Sequence, residues 1–260
     1  MSGLGPLLVV DAVSRRFGGV TAVDDVSFAV QAGELVGIIG PNGAGKTTLF
    51  NLISGFVPPS TGRITFAGHR TDGLPVHRIA RLGLSRTFQN LRVFPTLSVF
   101  DNVSAGAIGA VGFPAWRALV PGVGRTRAQA IAERTWDALR RVNLGDHAQD
   151  PAGSLSYGQR KYLEIARALA TRPRLLILDE PAAGLNEAET DSLARFIMEL
   201  NGSGITVLLV EHDMGLVMGI CRRVIVLAAG AKIADETPAG VRVDPAVQAA
   251  YLGAPLGAAA

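Results

Sequence analysis

Short apolar segments of two kinds alternate along the chain. In the first kind, every second residue is apolar, as at Val26, Phe28 and Val30, or apolar residues follow one another almost without interruption. Alternation is typical of a half-buried strand, and continuous runs are typical of strands covered on both faces. The continuous runs are Leu35–Ile39, Leu175–Leu178, Thr206–Val210 and Val224–Leu227.

The second kind of segment has helical spacing. Leu193, Phe196, Ile197 and Leu200 lie at positions i, i+3, i+4 and i+7, and residues 131–142 nearly repeat that stripe. Strands that alternate with helices predict an α/β core with a mostly parallel sheet. The middle of the chain, residues 90–153, contains no convincing strand, so we expect it to be a helical subdomain inserted into that core.

Composition restricts the kinds of protein that fit this pattern. Hydrophobic residues make up 48% of the 260, which is enough to build a core and excludes a disordered chain. The single cysteine, Cys221, excludes a disulfide framework and a multi-cysteine metal site, and suggests a reducing compartment. The net charge of +3 is too small to indicate a nucleic-acid footprint, so we expect no nucleic-acid partner.

One long apolar segment, from Val103 to Gly124, raises the question of a membrane span. Pro114, Arg117 and Pro121 interrupt it, so we do not expect it to cross a bilayer. The first residues lack the basic and apolar regions of a signal peptide. The apolar surplus instead predicts a surface that a partner covers, formed by Val103, Ile108, Val111, Phe113, Trp116, Leu119 and Val120.

A glycine-rich loop directly follows the predicted strand Leu35–Ile39. It fits the pattern G-x-x-x-x-G-K-[ST], in which backbone N–H groups and a helix N-terminus form a cradle for phosphates. In such a loop the lysine, here Lys46, supplies charge to the β- and γ-phosphates. The hydroxyl of the next residue, here Thr47, can ligate Mg²⁺. A glycine-rich turn that fits by chance is the alternative. We predict nucleotide contacts for Gly40, Pro41, Asn42, Gly43, Ala44, Gly45, Lys46, Thr47 and Thr48.

Two acids, Asp179 and Glu180, end the predicted buried strand Leu175–Leu178. Carboxylates beside a core are costly unless they are paired or bound to a metal. We therefore expect Asp179 to hold Mg²⁺ through water and Glu180 to polarise the attacking water. The alternative is a strand that merely enters a solvated acidic turn.

A third motif, Leu155-Ser-Tyr-Gly-Gln159, precedes a predicted helix, Arg160–Ala170. Ser156 is a suitable N-cap, and the N–H groups that follow it offer a second anion site. Alone, this segment is only a capped helix. Together with the two nucleotide motifs, it resembles the signature sequence of ATP-binding cassette (ABC) proteins. The resemblance implies that Ser156, Tyr157, Gly158 and Gln159 close over a nucleotide held by another subunit.

The same resemblance assigns further positions. Gln89 matches the glutamine that joins the core to the helical subdomain, and it is expected to reach the metal and take part in catalysis. His212, 32 residues after Glu180, matches the switch histidine, and with Glu180 and Gln89 it is predicted to be catalytic. Phe17 matches the aromatic residue that stacks on adenine. Asn186 lies where many family members carry aspartate.

The family also implies a fold. We expect an α/β P-loop NTPase core with a mostly parallel sheet, an antiparallel β subdomain and an inserted helical subdomain. Residues 1–260 would form one cassette, with the core and β subdomain in 5–89 and 154–253 and the helical subdomain in 90–153.

Within the family, the chain most resembles the ATPase subunits of bacterial branched-chain amino-acid importers. Tyr157, the stretch Arg86–Leu97 and the terminal Ala250–Gly253 carry that likeness. It implies ATP hydrolysis with Mg²⁺, a homodimer or a heterodimer with a second ABC ATPase, and an integral-membrane permease. It also implies a periplasmic or lipoprotein solute-binding protein as an indirect partner, and a peripheral location on the cytoplasmic face of the inner membrane.

Other readings remain open. The ATPases of urea or amide importers and of lipopolysaccharide export look similar. A soluble ABC ATPase acting on DNA or ribosomes is a further alternative, although the 110 residues from Lys46 to Ser156 show no sustained heptads. A regulator that binds nucleotide without turnover is disfavoured by Glu180 and His212.

Overall fold

The computed structural model describes residues 5–89, 91–111 and 123–252. Its strands form two sheets. The smaller sheet is antiparallel, with the strand order β2-β1-β4-β5. Its strands are β1 (Leu8–Phe17), β2 (Val20–Val30), β4 (Thr61–Phe66) and β5 (His69–Arg70).

The larger sheet has six strands in the order β10-β9-β3-β8-β7-β6. All neighbours in it pair in parallel except β10, which is antiparallel to β9. Each continuous apolar run that predicted a strand lies in this sheet, so the mostly parallel core is confirmed. Its strands are β3 (Leu35–Ile39), β6 (Leu84–Arg86), β7 (Leu175–Asp179), β8 (Thr206–Val210), β9 (Arg223–Ala228) and β10 (Ala231–Glu236).

Two hydrophobic clusters cover the two faces of the larger sheet. Strand β7 shows the division: Leu175 and Ile177 pack into the cluster shared with the antiparallel sheet, whereas Leu176 and Leu178 pack into the cluster shared with the helices. Successive side chains of a strand point to opposite faces, and both faces of β7 are buried. This double burial is why the strand is continuously apolar.

Helices connect the strands and cover the sheet. Helix α1 begins at Lys46, directly after the glycine-rich loop, and the helical stripe of residues 193–200 lies in α6. None of the described helices is long and apolar enough to span a membrane. The helices are α1 (Lys46–Ile53), α2 (Val76–Arg81), α3 (Val99–Ala110), α4 (Val123–Arg141), α5 (Tyr157–Leu169), α6 (Glu187–Gly202), α7 (Met214–Ile220), α8 (Pro238–Val243) and α9 (Pro245–Leu252).

The region 90–153 contains α3 and α4 and, among its described residues, no strand. The expectation that Val103 belongs to an exposed partner surface was wrong: this side chain is fully buried against the helical cluster, whereas Ile108 is exposed. Phe113, Trp116, Leu119 and Val120 lie outside the described residues.

Candidate nucleotide-binding site

The loop between β3 and α1 owes its shape to glycines. Gly40 and Gly45 have φ of 155° and 96°, and a Cβ on either would lie 2.2 or 2.3 Å from a backbone oxygen, of Leu227 or Ala22 respectively. Gly43 has φ of 80°, and its added Cβ would meet nothing within 4 Å, because this glycine borders the open cleft. The loop therefore needs glycine for close packing at its two ends and for its left-handed backbone.

Lys46, the first residue of α1, folds back over this loop. Its Nζ donates to the carbonyl oxygens of Gly40 at 2.6 Å and Pro41 at 3.1 Å, and the side chain is buried. Burial lowers the pKa of Lys46, while the charges of Glu180 and Asp179 oppose that shift. These hydrogen bonds go to neutral carbonyl oxygens. Ionised phosphate oxygens are stronger acceptors, so the Lys46 ammonium can exchange one for the other.

A cleft of about 390 Å³ opens above the loop. It joins the glycine-rich loop to the turn after β1 and to the three segments that follow β6, β7 and β8. Phe17 ends β1 just before this turn; the residue is 45% exposed, and its ring centroid lies 4.6 Å from the guanidinium carbon of Arg15. The cleft is lined by Val20, Thr21, Ala22, Asn42, Gly43, Ala44, Gly45, Lys46, Thr47, Thr48, Gln89, Glu180 and His212.

The three predicted catalytic side chains meet in this cleft. The Gln89 amide Nε2 donates to Glu180 Oε2 at 2.6 Å, and His212 Nε2 lies 2.6 Å from Glu180 Oε1. Both oxygens of one carboxylate are thus held, although the partners come from segments 91 and 32 residues away in the chain. Glu180 also has φ of 49°, an unusual left-handed conformation for a residue with a side chain. Its backbone N–H donates to Val210 O at 2.9 Å, which helps to hold that strained position.

Glu211, which the sequence analysis did not single out, holds the backbone beside this group. Its Oε1 accepts a hydrogen bond from the Ala182 N–H at 2.7 Å, and its Oε2 accepts one from the His212 N–H at 3.2 Å. Burial raises the pKa of Glu211, and the backbone hydrogen bonds partly offset that effect. This carboxylate ties the loop after Glu180 to the backbone of His212. Its signal in the sequence was an acidic residue directly after β8, as Glu180 directly follows β7.

The other predicted acid, Asp179, is paired with a second residue that the analysis passed over as a catalytic candidate. Arg86 Nη2 lies 2.7 Å from Asp179 Oδ2, and both side chains are almost fully buried. Arg86 comes from the short strand β6, whose register sets it opposite Ile177 of β7. Its signal in the sequence was its place three residues before Gln89.

The third motif forms the beginning of α5. Ser156 and Gln159 make a capping box, so the helix starts at Tyr157, and the expected start at Arg160 was wrong. The Tyr157 hydroxyl donates to Ala183 O at 3.1 Å, and a Cβ on Gly158 would lie 2.9 Å from Glu189 Oε1. Among the described residues, positions 156–159 are not part of the cleft that the glycine-rich loop lines.

Comparison with known families decides the class of this site. A family model described as ABC transporter matches residues 23–183, which include the glycine-rich loop, the capped helix and the Asp179–Glu180 pair. The chain belongs to the ABC transporter family. Members are ATP-hydrolysing subunits, so this ABC subunit is an ATPase that binds nucleotide.

Curated relatives narrow the subfamily. The ABC subunit is 45% identical to the high-affinity branched-chain amino acid transport ATP-binding protein BraF of Pseudomonas aeruginosa, over 95% of this chain and 98% of that protein. It is 44% identical to the corresponding protein LivG of Escherichia coli K12, over 95% and 98%. Identity to the lipopolysaccharide export system ATP-binding protein LptB of the same organism is 35%, over 95% and 97%.

Solved structures agree with the fold. A nucleotide-free ATP-binding cassette from an ABC transporter superposes with a TM-score of 0.83 at 30% identity, over 95% of this chain and 99% of that one. A dimeric structure of a bacterial ABC transporter cassette gives a TM-score of 0.73 at 25% identity, over 89% and 98%. The predicted α/β P-loop fold of the ABC subunit is confirmed.

Proposed function

We propose that this ABC subunit hydrolyses Mg²⁺-ATP in the cleft above the glycine-rich loop to drive import of branched-chain or related amino acids through a membrane permease. The observation that carries the chemistry is the group Gln89–Glu180–His212, which meets beside the loop. The identity of 45% and 44% to branched-chain amino-acid transport proteins supports the substrate class, compared with 35% to the lipopolysaccharide export protein.

In this proposal the loop binds the phosphates and Lys46 supplies their nearest positive charge. Glu180 accepts a proton from the attacking water. Its carboxylate lines the cleft, and each of its two oxygens lies within hydrogen-bond distance of Gln89 or His212. Gln89 and His212 hold the two oxygens of that carboxylate. We further propose that Phe17 stacks on the adenine, since it lies next to the cleft-lining turn and is partly exposed.

The oxygen donors that line the cleft or directly precede Glu180 in the chain fit Mg²⁺. The Asp179 carboxylate, the Thr47 hydroxyl and the Gln89 amide oxygen are hard ligands of the kind that Mg²⁺ prefers. No cluster of three His, Cys, Asp or Glu that could hold a metal occurs within residues 5–89, 91–111 and 123–252. A site with few protein ligands suits a cation that binds together with phosphates. Once bound, the cation neutralises charge that develops on the β- and γ-oxygens.

We propose that the working unit is a head-to-tail dimer with a second copy or a related cassette. Ser156 and its neighbours lie apart from the cleft of their own chain, although the resemblance assigns them to a nucleotide site. Mixing a Ser156→Arg subunit with a Lys46→Ala subunit tests this. In a homodimer one composite site then carries both lesions and the other neither, so partial activity should return. Additive loss in a confirmed mixed dimer would refute shared sites.

An apolar groove of about 580 Å³ is the proposed docking site of the permease. It lies between helices α2, α3 and α5, and we call it the docking groove; it is lined by Ser54, Phe56, Val76, Ile79, Ala80, Leu84, Ser85, Arg86, Phe88, Arg92, Val93, Phe94, Ala105, Gly106, Glu164, Arg167, Ala168 and Thr171. Phe56 and Phe94 are 47% and 49% exposed, which is unusual for side chains of this size unless a partner covers them. Arginines outnumber the one acid of the groove, so a short amphipathic helix that carries a carboxylate fits it.

Recovery of the intact transporter tests the membrane partner. The tagged subunit is purified from native membranes, as the unchanged chain and as Phe94→Asp, with Val243→Asp as the matched control. Val243 is also an exposed apolar residue, at 72%, but it lies on α8. We expect the permease to be lost with Phe94→Asp and retained with Val243→Asp. Recovery without any membrane subunit would refute transport and favour a soluble ABC ATPase.

The solute is tested with the reconstituted transporter in proteoliposomes. We expect ATPase activity to rise when a solute-binding protein loaded with leucine, isoleucine or valine is added. Stimulation by urea or a short amide but not by leucine would contradict the amino-acid assignment and leave the importer assignment intact.

A further inference from the structure

Arg86 contacts two sites that the proposed function keeps separate. Its Nη2 binds the Asp179 carboxylate at 2.7 Å, and the same side chain forms part of the wall of the docking groove. Among the residues that line the groove, it is therefore the one whose guanidinium pairs with the predicted metal carboxylate.

The guanidinium of Arg86 is fixed on several sides. Its Nη1 donates to Asn51 Oδ1 at 2.7 Å and to Ser54 Oγ at 3.2 Å, so helix α1 holds it as well as Asp179. With 5% of the Arg86 side chain and 6% of the Asp179 side chain exposed, this pair is shielded from water. A shielded, hydrogen-bonded pair fixes the carboxylate in one orientation far more firmly than a solvated pair does.

A row of rings continues from Arg86 into the groove. The Arg86 guanidinium carbon lies 5.3 Å from the Phe88 ring centroid, and the Phe56 ring meets Phe88 edge-on at 5.6 Å. The guanidinium of Arg92 covers Phe88 at 4.2 Å. A group that enters the groove and moves Phe88 would therefore move a ring that neighbours the Arg86 guanidinium.

One nitrogen of the Arg86 guanidinium lacks a hydrogen-bond partner within the described part of the chain. Its Nε is buried and has no hydrogen-bond partner among the described residues. A buried donor without a partner costs free energy, so a partner for Nε would be favourable. An occupant of the groove that accepts a hydrogen bond from Nε would therefore favour a small shift of this side chain.

We propose that Arg86 is a positioning residue that holds the Asp179 carboxylate for the divalent cation and makes its position responsive to the occupant of the docking groove. This inference rests on the proposed function, since it takes Asp179 to serve a cation bound with ATP. Partners of metal-binding side chains commonly change metal affinity by 10–100-fold when they are removed.

The first test measures the affinity for a divalent metal ion. Mn²⁺ is titrated into the full chain with the non-hydrolysable ATP analogue AMP-PNP, and free Mn²⁺ is read by electron paramagnetic resonance. We expect Arg86→Met to weaken Mn²⁺ binding by about 10–100-fold and Arg86→Lys to restore part of the loss. The matched control is Arg81→Met, which removes the same charge from the exposed end of α2 and should leave Mn²⁺ affinity unchanged.

The outcomes separate this inference from the proposed function. AMP-PNP affinity without metal should stay the same in all variants, because Lys46 and the loop are intact. Unchanged Mn²⁺ affinity in Arg86→Met and Arg86→Lys would overturn the inference while leaving the ATPase assignment in place. Failure of the unchanged chain to bind Mn²⁺ with AMP-PNP would overturn both. If Arg86→Met does not fold, Arg86→Lys still decides.

The second test measures whether metal binding changes the mobility of the groove wall. A spin label is placed on Val76→Cys, at the groove wall, with AMP-PNP present throughout. Burial raises the pKa of the native Cys221 to about 12, so this thiol does not compete for the label. We expect saturating Mg²⁺ to change the mobility of the label in the chain with Arg86 and not in Arg86→Met. An equal response in both chains, or in neither, would overturn the link to the groove.

Discussion

Replacing Gly45 by alanine tests whether the shape of the glycine-rich loop underlies nucleotide binding. Gly45 has φ of 96°, and an added Cβ would lie 2.3 Å from Ala22 O. The left-handed backbone costs a non-glycine residue about 1–2 kcal/mol. Relief of a clash with backbone, which cannot rotate away as a side chain can, costs about another 1–3 kcal/mol. The sum is about 2–5 kcal/mol.

A loss of that size leaves the chain folded but measurably weakened. At about 2–4 °C per kcal/mol for a protein of this size, we expect the melting temperature of Gly45→Ala to fall by roughly 4–20 °C. Because the Ala22 carbonyl belongs to the wall of the cleft, the loop must also shift, and ATP affinity should fall at temperatures where the variant is folded.

Gly18→Ala is the matched control. Gly18 also has a left-handed backbone, with φ of 55°, but an added Cβ would meet nothing within 4 Å. It should lose only the backbone contribution of about 1–2 kcal/mol, with ATP affinity unchanged. Thermal melts and calorimetric ATP titrations measure both quantities. Equal melting temperatures and equal ATP affinities for the two variants would refute the packing argument.

Three further predictions concern stability and reactivity. Ser156→Ala removes the capping box of α5 and should lower the free energy of unfolding by about 1 kcal/mol in a denaturant titration; no change would mean that the cap is redundant. Cys221 should react with a maleimide only after unfolding, and rapid labelling of the native chain would contradict its burial. Burial raises the pKa of Asp235, but the hydrogen bonds and charges of Arg223 and Lys232 outweigh it and hold that pKa below its ordinary value. The stability that Arg223 contributes is thus present above the ordinary pKa of an aspartate and is lost as the pH falls through the lowered pKa of Asp235, so the gap in melting temperature between the unchanged chain and Arg223→Met should close in strong acid; a constant gap would refute this pairing.

The sequence predicted best where the requirement is local. A phosphate loop needs glycines and a lysine at fixed spacing, and a strand covered on both faces needs a continuous apolar run, so Gly40–Thr47 and β7 could be identified from neighbouring residues. Strand β1 was not predicted from the sequence pattern. Its alternation breaks at Ala12, which has φ of 49° beside an irregular register, and its outer end carries Arg15 and Arg16.

Contacts between distant segments could not be read from local pattern. Arg86 meets Asp179 across 93 residues because β6, only three residues long, pairs in parallel with β7. Nothing in the neighbourhood of either residue specifies that register. Glu211 was missed for a similar reason, since its partner Ala182 lies 29 residues away. The helix start at Tyr157 was misjudged because the capping box, rather than the apolar stripe, sets it.

Single-turnover hydrolysis by Glu180→Gln tests the central claim most directly. The claim is that Glu180, held by Gln89 and His212, accepts the proton of the attacking water beside the phosphate loop. The amide keeps the size of the side chain but removes the proton acceptor, so ATP should still bind while hydrolysis falls by about 10²–10⁴-fold. Hydrolysis at the rate of the unchanged chain, with ATP bound equally well, would contradict the account.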